Sequence, residues 1–318
     1  MIQGQDLPQV YNRLNTLDSR HTSGMGNNGL INPSFDISQR GDYTSATAIV
    51  NNTYYLDRWQ CAQTGSTGTV EQSTDTPNDS TDYSLKTIAT GGTGGFILNK
   101  QIIENYQKYR GKTITLSAQI KSSIFTYVRL WDGATYTQAE TTANNGVWET
   151  VSVTATISST STDLEVDIFT VTPIVGDYFT LSNVQLCEGK KRLPFEVRHR
   201  SIEETLCKRY GIAFGKNLYG FVGLAMATST ASASLYLPIP VQMRTTSPTM
   251  TYTGTWGVYQ GATAKNTFTT ISNDINICGN HAISVTLNDA GAGWTAGDIY
   301  RVFILNDATA RFFADTEL

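Results

Sequence analysis

The strongest constraint on this chain is an alternation of apolar and polar residues with a period of two. Ile114, Leu116, Ala118 and Ile120 alternate with Thr115, Ser117, Gln119 and Lys121, and Leu164, Val166 and Ile168 alternate with Asp163, Glu165 and Asp167. Successive side chains of a strand point to opposite faces, so this pattern builds sheets with one buried face. Val147, Val151 and Val153 are expected to share one side of a further strand. The 46 threonines supply β-branched strand positions and the 27 glycines supply turns. The chain therefore reads as mainly β, with one β-sandwich over residues 29–192, a short helical joint over 193–211 and a second β-sandwich domain over 212–318. In the second domain Ser234–Pro240 and Ile299–Leu305 read as strands and residues 288–293 as a loop.

Helical signals are few. Residues 6–19 carry Asp6 as a cap, Pro8 in the first turn and Gln9 at the capping-box position. Leu7, Val10, Leu14 and Leu17 are spaced three, four and three apart, which is the seam of a helix that either docks on its own domain or bundles with other chains. Residues 20–29 follow as a linker, so 1–28 form an attachment or oligomerisation segment. A short helical piece, Gln101–Tyr109, is expected before Gly111. In the joint, Ser201 is expected to cap a helix with Glu204 at the capping-box position, Ile202, Leu206 and Tyr210 on one face, and Gly211 as its stop.

A net charge of −4 gives no basic footprint for a sequence-independent nucleic-acid interface. Cys61, Cys187, Cys207 and Cys278 form no CxxC pair and read as free thiols in a protein folded inside the cell, with one disulfide between distant cysteines as the alternative. The first residues lack a basic region followed by an apolar stretch, and no run of 18 apolar residues occurs, so neither a secretory leader nor a membrane span is expected.

Several phrases resemble those of bacteriophage tail-fibre and related virion appendage proteins. Ile31-Asn-Pro-Ser-Phe-Asp-Ile-Ser-Gln-Arg-Gly41 and Asp57-Arg-Trp59 resemble the opening phrases of that family's sandwich. Val184-Gln-Leu-Cys-Glu-Gly189, Pro194-Phe-Glu-Val-Arg198 and Leu206-Cys-Lys-Arg-Tyr210 resemble its junction, with Cys187 and Gly211 as departures. Lys112–Lys121 is similar to a strand of a carbohydrate-binding-module-like jelly roll, and Pro240–Pro248 and Ala314-Asp-Thr-Glu-Leu318 are also similar to family wording. The resemblance covers about residues 30–318. It implies a jelly roll for the first domain and a structural or adhesion protein of a phage particle, commonly a homotrimer. Its partners would be other virion proteins, held through the N-terminus, and a host-surface glycan or protein. Its place would be the virion, after folding in the host cytoplasm.

No HExxH, GxSxG or P-loop pattern occurs, and the three histidines are His21, His199 and His281. His199 lies in a basic run and reads as joint packing or a solvated face. Asp163, Glu165 and Asp167 are a conceivable pair source for glycoside hydrolysis, set against an exposed acidic strand face. Phe125, Tyr127, Arg129 and Trp131 alternate with Thr126, Val128 and Leu130. With Val128 and Leu130 in the core, Tyr127, Arg129 and Trp131 form an exposed ladder that Trp148 can join, a platform on which sugar faces stack. The alternative places these aromatics in a core or a subunit contact. Trp256, Tyr259 and Trp294 are the candidate receptor contacts of the second domain, with Tyr219, Phe221 and Tyr236 as further aromatics; the alternative is that these rings build a core or a trimer interface. Asp36, Asp57 and Asp177 can offer oxygens to calcium, but no EF-hand-like loop is present, and no metal or cofactor is expected. The expected function is host-surface glycan recognition by binding, with no chemical step. The rivals are a decoration or structural protein without receptor role, a soluble carbohydrate-binding module and a polysaccharide depolymerase.

Overall fold

The computed structural model describes residues 28–78, 81–215, 219–261, 263–264, 268, 270–273, 282–288, 294–305, 307 and 309–318. Leu7, Val10, Leu14 and Leu17 lie outside the described residues, as do Cys278, His21, His281 and much of the 288–293 loop. The described chain is mainly β and divides into two units, the first formed by the described residues of 28–36, 43–53 and 59–203, the second by those of 37–42, 54–58 and 204–318.

The first unit is a β-sandwich. Its strands are β1 (Thr47–Ala48), β2 (Thr53–Tyr54), β3 (Gln60–Ser73), β4 (Ser84–Ile102), β5 (Thr113–Ser122), β6 (Thr126–Trp131), β7 (Tyr136–Glu140), β8 (Trp148–Thr156), β9 (Glu165–Val171) and β10 (Tyr178–Glu188). All belong to one hydrogen-bonded sheet, with β7-β6-β9-β4-β10-β5-β8 as its path and β3 on the flank of β4. Strand β4 pairs with β10 through Leu85–Ile88 and with β9 through Phe96–Ile102, so it passes between two leaves. The front leaf is β7-β6-β9 with the second half of β4, and the back leaf is β8-β5-β10 with the first half. Ile114, Leu116, Ile120, Val128, Leu130, Leu164, Val166 and Ile168 all turn into the core, as their alternation requires.

The passage between leaves is a bulge in β3 at Thr64–Ser66, opposite a glycine run in β4. Gly95 has φ +91°, and a Cβ there would lie 1.7 Å from the Thr64 carbonyl oxygen. Only glycine fits this approach. Gly95→Ala is expected to cost at least about 1 kcal/mol from the backbone conformation alone, and more from the clash. A urea titration of the two proteins measures it.

Three expectations for this unit are corrected. Gln101 and Ile102 pair with Val166 and Glu165 on β9, so the helical piece shrinks to a 3-10 turn at Tyr106–Tyr109. Val147 precedes β8 and is exposed, so it does not join Val151 and Val153. Glu165 and Asp167 are buried, so the acidic face is not a solvated one.

The helix of the joint, α1, spans Arg200–Lys208. His199, not Ser201, is its cap: the His199 carbonyl accepts the Ile202 and Glu203 amides at 2.9 and 3.2 Å, and its Nδ1 accepts the Ser201 amide at 3.3 Å. The buried positions are Glu203, Cys207 and Tyr210, while Ile202 is exposed. The second unit follows with β11 (Gly211–Gly215), β12 (Phe221–Ala227), β13 (Ser232–Pro238), β14 (Thr249–Thr253), β15 (Trp256–Gln260), β16 (Thr263–Ala264), β17 (Thr270–Asn273), β18 (Ala282–Asn288), β19 (Ile299–Ile304) and β20 (Arg311–Asp315). A three-stranded sheet, β11-β20-β14, and a seven-stranded sheet, β16-β15-β19-β12-β13-β18-β17, enclose a core that includes Leu235, Trp256, Val285, Tyr300, Val302 and Phe312.

The phrases that resemble the appendage family fall into two buried polar locks, one in each unit. In the first unit the Asn32 amide donates to Glu203 Oε1 at 2.5 Å, and Arg198 Nη1 pairs with Glu203 Oε2 at 2.9 Å. Asn28 Nδ2 donates to the Val184 carbonyl at 2.8 Å, and the Trp59 indole donates to the Asn32 carbonyl at 2.9 Å. In the second unit Arg40 pairs with Asp315 at 2.6 Å and with Glu317 at 3.1 Å, and Arg58 pairs with Glu317. The Arg58 guanidinium lies 3.7 Å above the Tyr210 ring. The Gln39 amide donates to Asp57 Oδ2 at 2.7 Å, and burial pushes the Asp57 carboxyl up to about 6 against the pull of Arg40. These residues serve the fold: charges this deep must be paired.

Candidate functional site

Strand β6 alternates strictly, Val128 and Leu130 inward, Tyr127, Arg129 and Trp131 outward and half-buried. Register then sets their neighbours on the outer face of the front leaf. Across β7, Tyr127 meets Glu140, Arg129 meets Gln138 and Trp131 meets Tyr136. Across β9, Tyr127 meets Phe169, Arg129 meets Asp167 and Trp131 meets Glu165. Next to β9, β4 adds Leu98 opposite Phe169 and Lys100 opposite Asp167.

The face has an aromatic patch at each end and charge between them. At one end the Tyr127 and Phe169 rings stack at 5.2 Å and 22°, packed with Ala62, Leu98 and Phe96. At the other lie Trp131 and the exposed Tyr136. Four residues of strand separate Tyr127 from Trp131, roughly 13 Å at the usual rise, the reach of a short oligosaccharide. In the middle Arg129 Nε donates to Asp167 Oδ2 at 2.8 Å, and Lys100 pairs with Glu165 at 3.1 Å. The Arg129 guanidinium lies 4.6 Å over the Phe169 ring and 5.7 Å from that of Tyr136.

Arg129 spends only its Nε on the protein. Its side chain is 29% exposed, and its two terminal amino groups have no acceptor among the described residues. Asp167 is fully buried beneath it, with Oδ1 receiving no hydrogen bond. Burial therefore pushes the Asp167 carboxyl up to about 6, with Arg129 pulling it down and Glu165 pushing it further up. An unsatisfied buried carboxylate oxygen is costly to keep. What it secures is the plane of the guanidinium, which offers four N–H donors to whatever lies across the aromatic patches.

The remaining candidates are scattered. Trp148 sits on β8 at the far edge of the back leaf, opposite Lys121, with its indole donating to Asp75 at 3.3 Å, so it does not join the ladder. Phe125 precedes β6 and is exposed. Trp256 and Trp294 are 2% and 4% exposed and belong to the core of the second unit, which removes both as receptor contacts. Trp256 packs 4.3 Å from the Phe312 ring, and Trp294 packs 5.1 Å from that of Tyr300. Tyr259 remains half-exposed on β15. Asp177 caps its own loop by accepting the Ile174 amide at 2.9 Å, Asp36 accepts the Ser34 hydroxyl at 2.6 Å and Asp57 is engaged by Gln39. Among the described residues no cluster of three His, Cys, Asp or Glu converges as a metal site would need, and no helix is long and apolar enough to cross a membrane. Cys61, Cys187 and Cys207 are buried and form no disulfide among the described residues.

Sequence reading missed Phe169, Tyr136 and Lys100. The signal for Phe169 was present: it shares the parity of Glu165 and Asp167 on one strand. Tyr136 and Lys100 enter only through strand pairing.

No protein-family model matches the chain, and no curated protein matches it. Among solved structures it is similar to the enzymatically active domain of tailspike protein 4 of bacteriophage CBA120, at 18% identity over 51% of this chain and 22% of that one, with a TM-score of 0.39. It is similar to a cyclase from Fischerella sp. TAU, at 15% identity over 51% of this chain and 96% of that one, with a TM-score of 0.36. It is also similar to the family 11 carbohydrate-binding module of a cellulosomal cellulase of Clostridium thermocellum, at 13% identity over 48% of this chain and 99% of that one, with a TM-score of 0.30. Likeness at this level assigns neither a family nor an activity to the chain, since one sandwich architecture hosts many functions.

Proposed function

We propose that the chain is a glycan-binding protein that takes its ligand on the outer face of the front leaf. The observation that carries this reading is Arg129, clamped by Nε to buried Asp167 and left with unspent donors between two aromatic patches. Sugars present apolar C–H faces to rings and hydroxyls to directed donors, and this face supplies both.

The test is Asp167→Asn, measured against glycans that the intact protein retains on an array. Ionised Asp167 holds Arg129 through a charge-assisted bond, and its loss is expected to weaken binding about 5- to 30-fold, for roughly 1–2 kcal/mol. The variant also has a pH signature. In the intact protein, affinity is expected to fall as pH drops through about 6, where the Asp167 carboxyl takes up its proton; in Asp167→Asn it is expected to stay flat. The stability sign is opposite. A raised carboxyl pKa means that the folded state holds a proton that the unfolded chain has released, so ionisation costs stability as pH rises from about 4 to 6. Asp167→Asn escapes that cost and is not expected to be less stable at pH 7.

The wider reading, supported by the resemblance of the sequence phrases, is a bacteriophage tail fibre or appendage protein, located in the virion and trimeric. Three copies would turn weak single-site contacts into firm adsorption. Sedimentation of the purified chain is expected to give a trimer; a monomer would count against the fibre. A second reading, polysaccharide hydrolysis, is favoured by the two carboxylates Glu165 and Asp167 at i and i+2 on this face, roughly 7 Å apart along the strand. Both are held by cations, so binding without a chemical step is the stronger reading. Sugar release from host polysaccharide that disappears in Asp167→Asn would reverse that choice.

A further inference from the structure

We infer that the second unit carries a separate pocket for a carboxylate-bearing sugar. Tyr219, Tyr259, Arg301, Phe303, Ile304 and Leu305 line a cavity of about 330 Å³. That is at the small end of the usual range for ligand sites, about 300–1,000 Å³, which fits the end of a glycan rather than a long stretch of it. Strand register builds the walls: Arg301 stands opposite Tyr259, and Phe303 opposite Gly257. A Cβ at position 257 would lie 2.9 Å from the Tyr259 ring, so the placement of that ring depends on the glycine. The Tyr259 and Phe303 rings meet edge-on at 5.6 Å, and the Arg301 guanidinium lies 5.5 Å over Phe303.

The charge of Arg301 sets the ligand class. Its Nη2 donates to the Gly261 carbonyl, and no carboxylate among the described residues lies within ion-pair distance of it. This differs from the front leaf, where Asp167 neutralises Arg129. A guanidinium beside ring faces offers a planar fork that matches one carboxylate, and the rings offer stacking for the sugar that bears it. A neutral sugar would leave the cation unpaired, whereas a carboxylate would pair with it. A single guanidinium balances a single negative charge, so a carboxylate suits it better than a phosphate dianion. Tyr219 closes the rim. It is 64% exposed and has φ 57°, a left-handed conformation unusual for a bulky residue.

The experiment uses the full chain with trigalacturonate and sialyllactose as probes, and fully methyl-esterified trigalacturonate as the neutral control, read by calorimetry. At least one acidic probe is expected to bind. Esterification (for trigalacturonate), Arg301→Gln and Tyr259→Ala are each expected to weaken binding at least about tenfold, while Tyr127→Ala/Trp131→Ala leaves it unchanged. Near-ultraviolet circular dichroism confirms that the variants fold. Failure of both acidic probes to bind at millimolar concentration would overturn the inference. So would equal binding of the ester, indifference to Arg301→Gln, or loss of binding in the Tyr127/Trp131 variant. The front-leaf reading is tested with array-selected glycans and Asp167→Asn, so the two readings fail separately.

Discussion

Glu317→Ala is expected to destabilise the second unit by about 3–5 kcal/mol, the usual cost of removing one partner from a buried ion pair. Glu317 answers two cations at once, Arg40 and Arg58, and the side chains of Arg58 and Glu317 are 2% and 4% exposed. Arg40 keeps Asp315 after the substitution, but Arg58 loses the Glu317 carboxylate in a place that water does not reach. Stacking of Arg58 on Tyr210 cannot replace a charge. For a unit of this size, such a loss lowers the melting temperature by more than about 10 °C. Calorimetry of the full chain should therefore show one transition moving and the other, from the first unit, staying in place. Glu317→Gln keeps the shape and is expected to lose less. A shift equivalent to under about 1 kcal/mol for Glu317→Ala would mean that the network is solvated and the surface ion-pair value applies.

Tyr127→Ala/Trp131→Ala is expected to abolish, in practice, the binding of glycans that Asp167→Asn weakens, those held on the front leaf. The two rings are the outer stacking surfaces of the ladder, and central aromatic contacts commonly cost 2 kcal/mol or more each on truncation. Together they amount to roughly 4 kcal/mol, a loss of several hundred-fold or more. The fold should survive, because Val128 and Leu130, which carry the core side of β6, are untouched. Tyr127 contributes a modest packing term through Phe169 and Leu98, and a melting curve separates this from lost binding. Unchanged binding with an intact fold would move the ligand site elsewhere.

How much of this was legible in the sequence varies element by element. Strands β5, β6 and β9 could be read directly, because their apolar core-facing positions alternate with polar ones and write a period of two into the chain. The ladder of Tyr127, Arg129 and Trp131 followed from that period. The buried face of α1 was misread for a physical reason: it carries Glu203 and Cys207, so the apolar spacing of Ile202 and Leu206 pointed to the wrong side. Trp148 has an outward parity on its own strand, but parity does not say which leaf a strand joins. Trp256 and Trp294 look like exposed hot spots until distant strands cover them, and long-range pairing of that kind leaves no local mark. The locks explain why the appendage-like phrases are so wordy: Arg40, Arg58, Tyr210, Asp315 and Glu317 are distant in sequence and meet in one buried network.

A glycan lying across β6 on the front leaf would be reported by the tryptophan indole resonances. With the indole nitrogens labelled, an array-selected oligosaccharide is titrated into the full chain. The Trp131 indole signal is expected to shift with saturation, and those of Trp59, Trp148, Trp256 and Trp294 to stay still. A still Trp131 signal at saturating ligand, or a shift confined to Trp148, would contradict it.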